Sequence, residues 1–354
     1  MVEISGRKIG DGHPVFITFE AGPTHTGLAS AKRLVDQAAA SGADAIKFQI
    51  LTASRLVRDP DMMVKYGYLS DRSSKEISYY EEPLRDVLER RSLEKEEWRE
   101  LKAHADSKGI LFFATVSYEE EIDFVVEMNC PSIKIASLDV NHIPLLRAAA
   151  RKNLCIQFDT GSATIGEIET AVDLLMSEGN ENFIIHHCPS GYPARLESIN
   201  LRIIPTLKQM FGCPVAFSDH TPGNDMDIAA IAIGANMIEK TITEDRTAKS
   251  PEHVMSIEGN ELPQFVEAIR NLEVALGSAR RRMSDEEKQR RALRRRSAFA
   301  RSTIPAGTPI READLDYSRP GNGLAPDEVE RFAEARLKRD VLKGELVHIH
   351  DLEF

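Results

Sequence analysis

The chain has no hydrophobic run long enough to span a bilayer, and its first residues, Met1-Val-Glu-Ile-Ser-Gly-Arg-Lys8, lack the apolar centre of a secretion signal. A cytoplasmic protein with no membrane partner is expected. Cysteine is scarce: Cys130, Cys155, Cys188 and Cys213 are the only four in 354 residues, and none is in CxxC spacing. Buried reduced thiols follow, rather than disulfides or a zinc site. Positive charge is not in excess, because 45 Lys and Arg face 56 Asp and Glu for a net charge of −11. That balance excludes a general nucleic-acid binder, which must meet the phosphate backbone with a basic face. A small anionic substrate is still allowed, since a few lysines in a pocket act locally. Finally, no GxGxxG opens any helix-like segment, which weakens a dinucleotide-binding open sheet.

What is present is an alternation. Short runs rich in Val, Ile, Phe and Ala are followed by longer segments rich in Ala, Leu, Glu and Arg. The runs are Val15 to Ala21, Ala45 to Ile50, Leu111 to Val116, Ser132 to Ser137, Leu154 to Thr160, Phe183 to Cys188, Pro214 to His220 and Met237 to Ile242. Apolar strands alternating with helices predict a parallel sheet covered by helices, and eight units predict an α/β fold of the (β/α)8 TIM-barrel type. A doubly wound open sheet is the alternative.

The spacing predicts a helix over Ser30 to Ser41, started by the serine and stopped by Gly42, and another over Thr164 to Gly179. The excursion from Leu51 to Arg91 is longer than a minimal loop needs and is expected to cover substrate or contact a partner. Three parts are expected: a barrel over 1–278, an arginine-rich solvated linker over 279–296, and a small turn-rich, mostly β unit over 297–354.

In a parallel barrel the carboxyl ends of the strands face one pocket. Those ends offer Glu20, Lys47, Gln49, Thr115, Ser117, Lys134, Ser137, Asp139, Asp159, Thr160, His186, His187, Ser190, Ser218, Asp219, His220, Glu239 and Lys240. Lysines and hydroxyls suit a phosphorylated, carboxylated substrate, while carboxylates and a histidine can handle hydroxyls, a metal or protons. Lys47 and Lys134 interrupt apolar strands, so each must face a wet pocket or be paired. Glu20 is a candidate partner for one of them. Of His186 and His187 only one can face inward. His220 is the leading candidate for a metal ligand or acid-base group, against the plainer role of a hydrogen-bonded cap. Tyr79, Tyr80 and Tyr118 read as structural.

Taken in order, Glu20-Ala-Gly-Pro-Thr-His-Thr-Gly27, Ile46-Lys-Phe-Gln49, Lys134-Ile-Ala-Ser-Leu-Asp139, Thr160-Gly161, His187-Cys188 with Tyr192-Pro193, Ser218-Asp-His220 and Pro251-Glu-His-Val-Met-Ser256 resemble the barrel motifs of the sialic acid synthase family. That family includes N-acetylneuraminate, pseudaminate and legionaminate synthases and related spore-coat polysaccharide proteins. Arg295-Arg-Ser, Arg319-Pro-Gly-Asn-Gly323 and Lys338-Arg-Asp340 resemble its C-terminal antifreeze-like (SAF) domain.

The resemblance implies condensation of phosphoenolpyruvate with the open-chain aldehyde of an N-acyl hexosamine, giving a nine-carbon 2-keto acid and phosphate. It assigns phosphoenolpyruvate to Lys47, Thr115, Lys134, Ser137, Ser190 and Ser218, the sugar to Tyr192, Glu239, Glu252 and Arg319, catalysis to Glu20 and His220, and a divalent ion, manganese, to His220. Arg319 would come from the other subunit of a domain-exchanged homodimer. Three positions depart from the family pattern. Thr241 stands where a second histidine ligand is usual, Asp159 where a serine is usual, and Thr24 where an asparagine is usual. A threonine hydroxyl is a poor ligand for manganese, so weaker metal binding is expected. A carboxylate beside a phosphate must be protonated or paired with Lys47 or Lys134. These departures keep two other readings open, a barrel aldolase or lyase acting on a 2-keto acid and a sugar-binding homologue with altered chemistry.

Overall fold

The computed structural model describes residues 1–73 and 76–354, which divide into two compact units, Met1–Gly277 and Ser278–Phe354. In the first, eight parallel strands form a closed ring: β1 (Phe16–Glu20), β2 (Ala45–Gln49), β3 (Leu111–Val116), β4 (Ser132–Ile135), β5 (Cys155–Asp159), β6 (Phe183–His187), β7 (Val215–Asp219) and β8 (Met237–Thr243). Each pairs with the next, and β8 closes the ring on β1 through the register Glu239↔Thr18 and Thr241↔Glu20. A helix follows every strand: α1 (Leu28–Ser41), α2 (Lys95–Ser107), α3 (Glu119–Glu127), α4 (Ile143–Ala150), α5 (Ile165–Ser177), α6 (Ile203–Phe211), α7 (Asp225–Ala232) and α8 (Leu262–Leu276). This is the (β/α)8 barrel that the alternation predicts.

Helix α5 starts on Thr164, whose hydroxyl accepts from the Glu167 backbone N–H while the Glu167 carboxylate answers to Thr164 N, a reciprocal cap. Helix α1 differs from the sequence expectation. It begins at Leu28, and Ser30 lies inside it, donating its hydroxyl to Glu244 at 2.6 Å instead of capping. Gly42 does end it, at φ 84, a left-handed conformation that a side chain would strain.

Strand alternation sorts the barrel into layers. Ile17, Phe19, Ile46, Phe48 and Phe217 pack outward against the helices. Phe16, Ala45, Phe113, Cys155, Ile184, Ala216 and Met237 fill the amino-terminal end of the bore. An antiparallel hairpin, Val2–Ile4 with Arg7–Ile9, plugs that end with Val2, Ile4 and Ile9. Two residues further along these strands, the same inward face therefore carries Thr18, Lys47, Thr115, Gln157, His186, Ser218 and Glu239. The four cysteines are all free and buried.

Between β2 and α2 the excursion forms a hairpin, Met63–Leu69 with Ile77–Pro83, flanked by short helices Ala53–Leu56 and Leu84–Glu89. Tyr66 ties it to the loop after β8: its one hydroxyl proton is shared between Glu82 Oε1 at 2.6 Å, within the hairpin, and Lys249 O at 3.1 Å. The second unit has a solvent-exposed helix α9 (Asp285–Arg294) followed by two-stranded ladders, Ser297–Ala300 with Leu315–Ser318 and Arg336–Leu337 with Leu352–Glu353. Its core is small, built on Ala298, Ile304, Leu337, Val341 and Val347. On α9 Arg290 is met by Glu286 one turn earlier, and Arg281, just ahead of the helix, by Glu287. No described helix is long and apolar enough to cross a membrane.

Candidate active site

A cavity of about 380 Å³ opens at the carboxyl ends of the strands. Its floor is polar, with Glu20, Lys47, Thr115, Ser137, Asp159, Ser218, His220 and Glu239, and Tyr192 and Glu252 stand at its side. Its other side is apolar and comes from the excursion after β2, through Leu56, Val57, Val64, Leu84, Val87 and Leu88. The excursion thus covers the site, one of the two roles its length suggested.

The floor is a chain of alternating charges. Lys47 Nζ contacts Glu20 Oε2 at 2.5 Å and Glu239 Oε1 at 2.7 Å. Lys134 Nζ contacts Glu239 Oε2 at 2.9 Å and Asp159 Oδ1 at 2.8 Å. Glu239 also accepts from Ser218 Oγ at 3.0 Å, so this carboxylate on β8 joins both lysines. All five groups are buried, with Lys134 fully inaccessible.

Burial alone would drive these groups neutral, and the pairing opposes it. For Lys47, burial pulls the ammonium down, but Glu20 and Glu239 outweigh it and hold the group above the ordinary lysine range. For Glu239, burial would raise the carboxyl, but Lys134 and Lys47 hold it well below the usual value. Glu20 goes the other way: burial, unopposed in full by Lys47 and reinforced by Glu239, raises it. Glu20 Oε2 and Asp159 Oδ1 meet their lysines as ion contacts without an aligned hydrogen bond, which leaves both oxygens short of a donor.

Glycine is required just after Glu20. A Cβ at Gly22 would stand 2.6 Å from both Glu20 Oε1 and Gln49 Cγ, and the Gly22 N–H donates to that same Oε1 at 2.6 Å.

Of the two adjacent histidines, His186 faces in and His187 faces out. His187 bonds the Ile199 carbonyl at 2.5 Å and stacks on Phe217. His186 is fully buried and held well below its ordinary pKa, first by burial and then by Lys134. Lysine can only donate, so His186 Nδ1 accepts from Lys134 Nζ at 2.9 Å and Nε2–H donates to Gln157 Oε1 at 3.0 Å. Gln157 donates on to Ser132 Oγ at 2.8 Å, which donates to the Cys155 carbonyl at 2.8 Å. The sequence singled out neither Gln157 nor Ser132, although a glutamine inside Cys-Ile-Gln-Phe-Asp is as anomalous in an apolar strand as the lysines are.

His220 is also neutral, lowered by burial. Its Nδ1 lies 3.1 Å from the Pro189 carbonyl, which can only accept, so the proton is on Nδ1 and the Nε2 lone pair is unspent. The ring packs against Tyr192 at 4.6 Å, and that tyrosine is about half exposed, at 48%.

Among the described residues, one group of acid and imidazole ligands is spaced for a metal ion: Asp159, His186 and Glu239, with ligand atoms within 4.8 Å of one another. Lys134 Nζ already contacts a ligand atom of each of the three, at 2.8 and 2.9 Å. An ion in that position and the lysine exclude each other. Among the described residues that line the cavity His220 is the one imidazole, and its Nε2 lone pair is unspent. Thr241 is buried on β8 in register with Glu20 and brings no nitrogen there.

Not every strand-end group reaches the cavity. Asp219 and Lys240 point outward and bond to each other, and Lys240 also lies 3.3 Å from Asp227 on α7. Ser190 is exposed at the rim and bonds Ser162 Oγ at 2.9 Å. Arg319 belongs to the second unit, where its Nε donates to the Arg294 carbonyl at 3.0 Å. Glu252 holds a left-handed backbone, φ 74, which costs a bulky residue energy and aims its side chain at the cavity. Burial pushes its carboxyl up to about 7 against the opposing pull of Arg91.

Comparison with known proteins adds the following. The model of the NeuB family matches residues 34–281 and that of the SAF domain residues 295–353. An N,N'-diacetyllegionaminic acid synthase of Legionella pneumophila is 35% identical over 96% of this chain and 97% of its own. The N-acetylneuraminate-9-phosphate synthase of Homo sapiens is 31% identical over 98% and 96%. The crystal structure of an N-acetylneuraminic acid synthetase from Leptospira borgpetersenii superposes with a TM-score of 0.71 at 33% identity, over 82% of this chain and 94% of that one.

Proposed function

Because this chain belongs to the NeuB family and ends in a SAF domain, we propose that it condenses phosphoenolpyruvate with the open-chain aldehyde of an N-acyl hexosamine or related aldose. The observation that carries this reading is the meeting of Lys47 and Lys134, from strands far apart in sequence, on the single carboxylate of Glu239 at the floor of a cavity. In the reaction the methylene carbon of phosphoenolpyruvate bonds to the aldehyde carbon, one water adds at the adjacent enol carbon, and phosphate leaves to give a nine-carbon 2-keto acid.

The floor supports each step. Lys47, Thr115, Ser137 and Ser218 line the cavity and offer the phosphate and carboxylate charge and hydroxyl donors, while Lys134, its three donors spent on Asp159, Glu239 and His186, sets the floor from beneath. Glu20, which lines the cavity beside Lys47, orients the water or the aldehyde oxygen. His220 Nε2 would hold a divalent ion, whose Lewis acidity would serve to polarise the aldehyde. Tyr192, Glu239 and Glu252 flank the sugar. Arg319 of a second copy, brought by domain exchange in a homodimer, completes the sugar contact.

A Schiff-base aldolase is disfavoured by the same geometry. Lys47 is held protonated by Glu20 and Glu239, and an amine nucleophile must be free of its proton.

Incubation of the protein with phosphoenolpyruvate, manganese and a panel of N-acyl hexosamines tests the proposal. Release of phosphate that depends on the aldose is expected. Absence of release with every aldose, or turnover of pyruvate without phosphate, overturns it.

A further inference from the structure

The floor has no cation to spare. Lys47 and Lys134 face three carboxylates, Glu20, Glu239 and Asp159, and each lysine already touches two of them. The carboxylates outnumber the lysines, so an arriving carboxylate or phosphate finds no unpaired ammonium in the floor.

One other cation lines the same cavity. Arg91 stands where the excursion after β2 ends, only 6% exposed. Among the described residues its guanidinium makes no hydrogen bond and no ion pair, and Nη2 is fully buried without a partner. Its neighbour Arg90 shows what an ordinary arginine does here, gripping Glu82 with two nitrogens at 2.7 and 2.9 Å. The groups surrounding Arg91 do not replace such a partner. His25 and His253 are both held neutral, lowered to about 4 by burial and then by Arg91 itself. Glu252 and Glu20 are near enough to feel its charge but form no ion pair with it. A buried guanidinium with its donors unspent is costly, and it persists where a ligand supplies the acceptors.

We propose that Arg91 is the anion-binding residue of this cavity, taking a carboxylate or phosphate of a substrate in a two-nitrogen grip. The assignment rests on the condensing reading for the identity of the substrates, and it deepens that reading by locating the anion beside the apolar wall, above the lysine floor. The anion belongs either to phosphoenolpyruvate or to an acidic substituent on the aldose.

Three forms of the full-length protein test it: wild type, Arg91→Gln and Arg91→Lys. In steady-state phosphate release, Arg91→Gln is expected to raise one KM at least tenfold and Arg91→Lys to recover part of the loss. A rise confined to phosphoenolpyruvate assigns the anion to that substrate, and a rise confined to the aldose assigns it to an acidic sugar. Thermal melting separates binding from scaffolding. Without ligand, Arg91→Gln is expected to melt at or above the wild-type temperature, because it removes an unpaired buried charge. Inorganic phosphate or pyruvate is expected to stabilise the wild type and not Arg91→Gln, a readout that stands even if no aldose turns over. Unchanged KM values, equal stabilisation of wild type and variant by those anions, no stabilisation of either, or a lowered melting temperature without loss of anion binding would each overturn the assignment.

Discussion

Glu239→Gln tests the arrangement of the floor most directly. The substitution keeps the shape of the side chain and removes the charge that Lys47 and Lys134 share at 2.7 and 2.9 Å. With an effective dielectric constant of about 20, each contact represents roughly 6 kcal/mol of attraction. Much of that is offset in the variant, since a buried carboxylate no longer has to be desolvated and its repulsion of Glu20 and Asp159 is gone. What remains is that each lysine keeps one carboxylate, Glu20 for Lys47 and Asp159 for Lys134, and loses one charge-assisted bond, about 3–5 kcal/mol for the two together. For a barrel of this size the melting temperature should fall by about 10 °C.

The single tryptophan, Trp98, is 2% exposed on α2 against Phe48, so its fluorescence follows unfolding of the barrel. Denaturation with urea, read at Trp98, gives the free-energy change. A loss below about 1 kcal/mol would mean that the lysines are held by something other than Glu239, and the account of the floor would be wrong.

Other outcomes follow from the same geometry. Asp219→Asn breaks a buried pair with Lys240 outside the bore, so it should cost about 3–5 kcal/mol while leaving the KM for phosphoenolpyruvate within about twofold; a large KM change would place Asp219 in the cavity. Gly22→Ala forces a methyl onto Glu20 Oε1 and Gln49 Cγ and should destabilise by about 1–3 kcal/mol, measured by the same denaturation. Glu252 titrates at about 7 in the fold against 4.5 in the open chain, so its contribution to stability is full below pH 4.5 and is lost as the pH rises to 7. The difference in stability between wild type and Glu252→Gln, followed across that range, should decline with rising pH; a flat difference refutes the shift. His25 and His253, lowered from 6.5 to about 4, contribute stability above pH 6.5 that is lost as the pH falls toward 4, and replacing either with glutamine should soften the acid transition.

Much of the site was legible because polar residues interrupt apolar strands at conspicuous places. Lys47 and Lys134 could not be accommodated in a covered sheet without a pocket or a partner: Lys47 has both, and Lys134 has its partners beneath the pocket floor. Less was legible where orientation decides function. Asp219 and Lys240 sit one residue from Ser218 and Glu239, and the alternation of the strand sends them to the opposite face. Ser190 lies beyond its strand, where no periodicity constrains it. Arg91 gave no signal at all, because an arginine in Glu-Arg-Arg-Ser reads as a solvated helix end.

By itself the sequence determined the eight strands, the helices that alternate with them and which residues of a strand share a face. Those follow from side-chain periodicity and from caps such as Thr164 and Gly42, which act within a few residues. Closure of β8 on β1 and β7 decided the rest. It brought Glu239 between two lysines, settled which acid answers which base, and let the excursion after β2 strip water from Arg91. Charge pairing and desolvation depend on groups distant in the chain, so they exist only once the ring is complete.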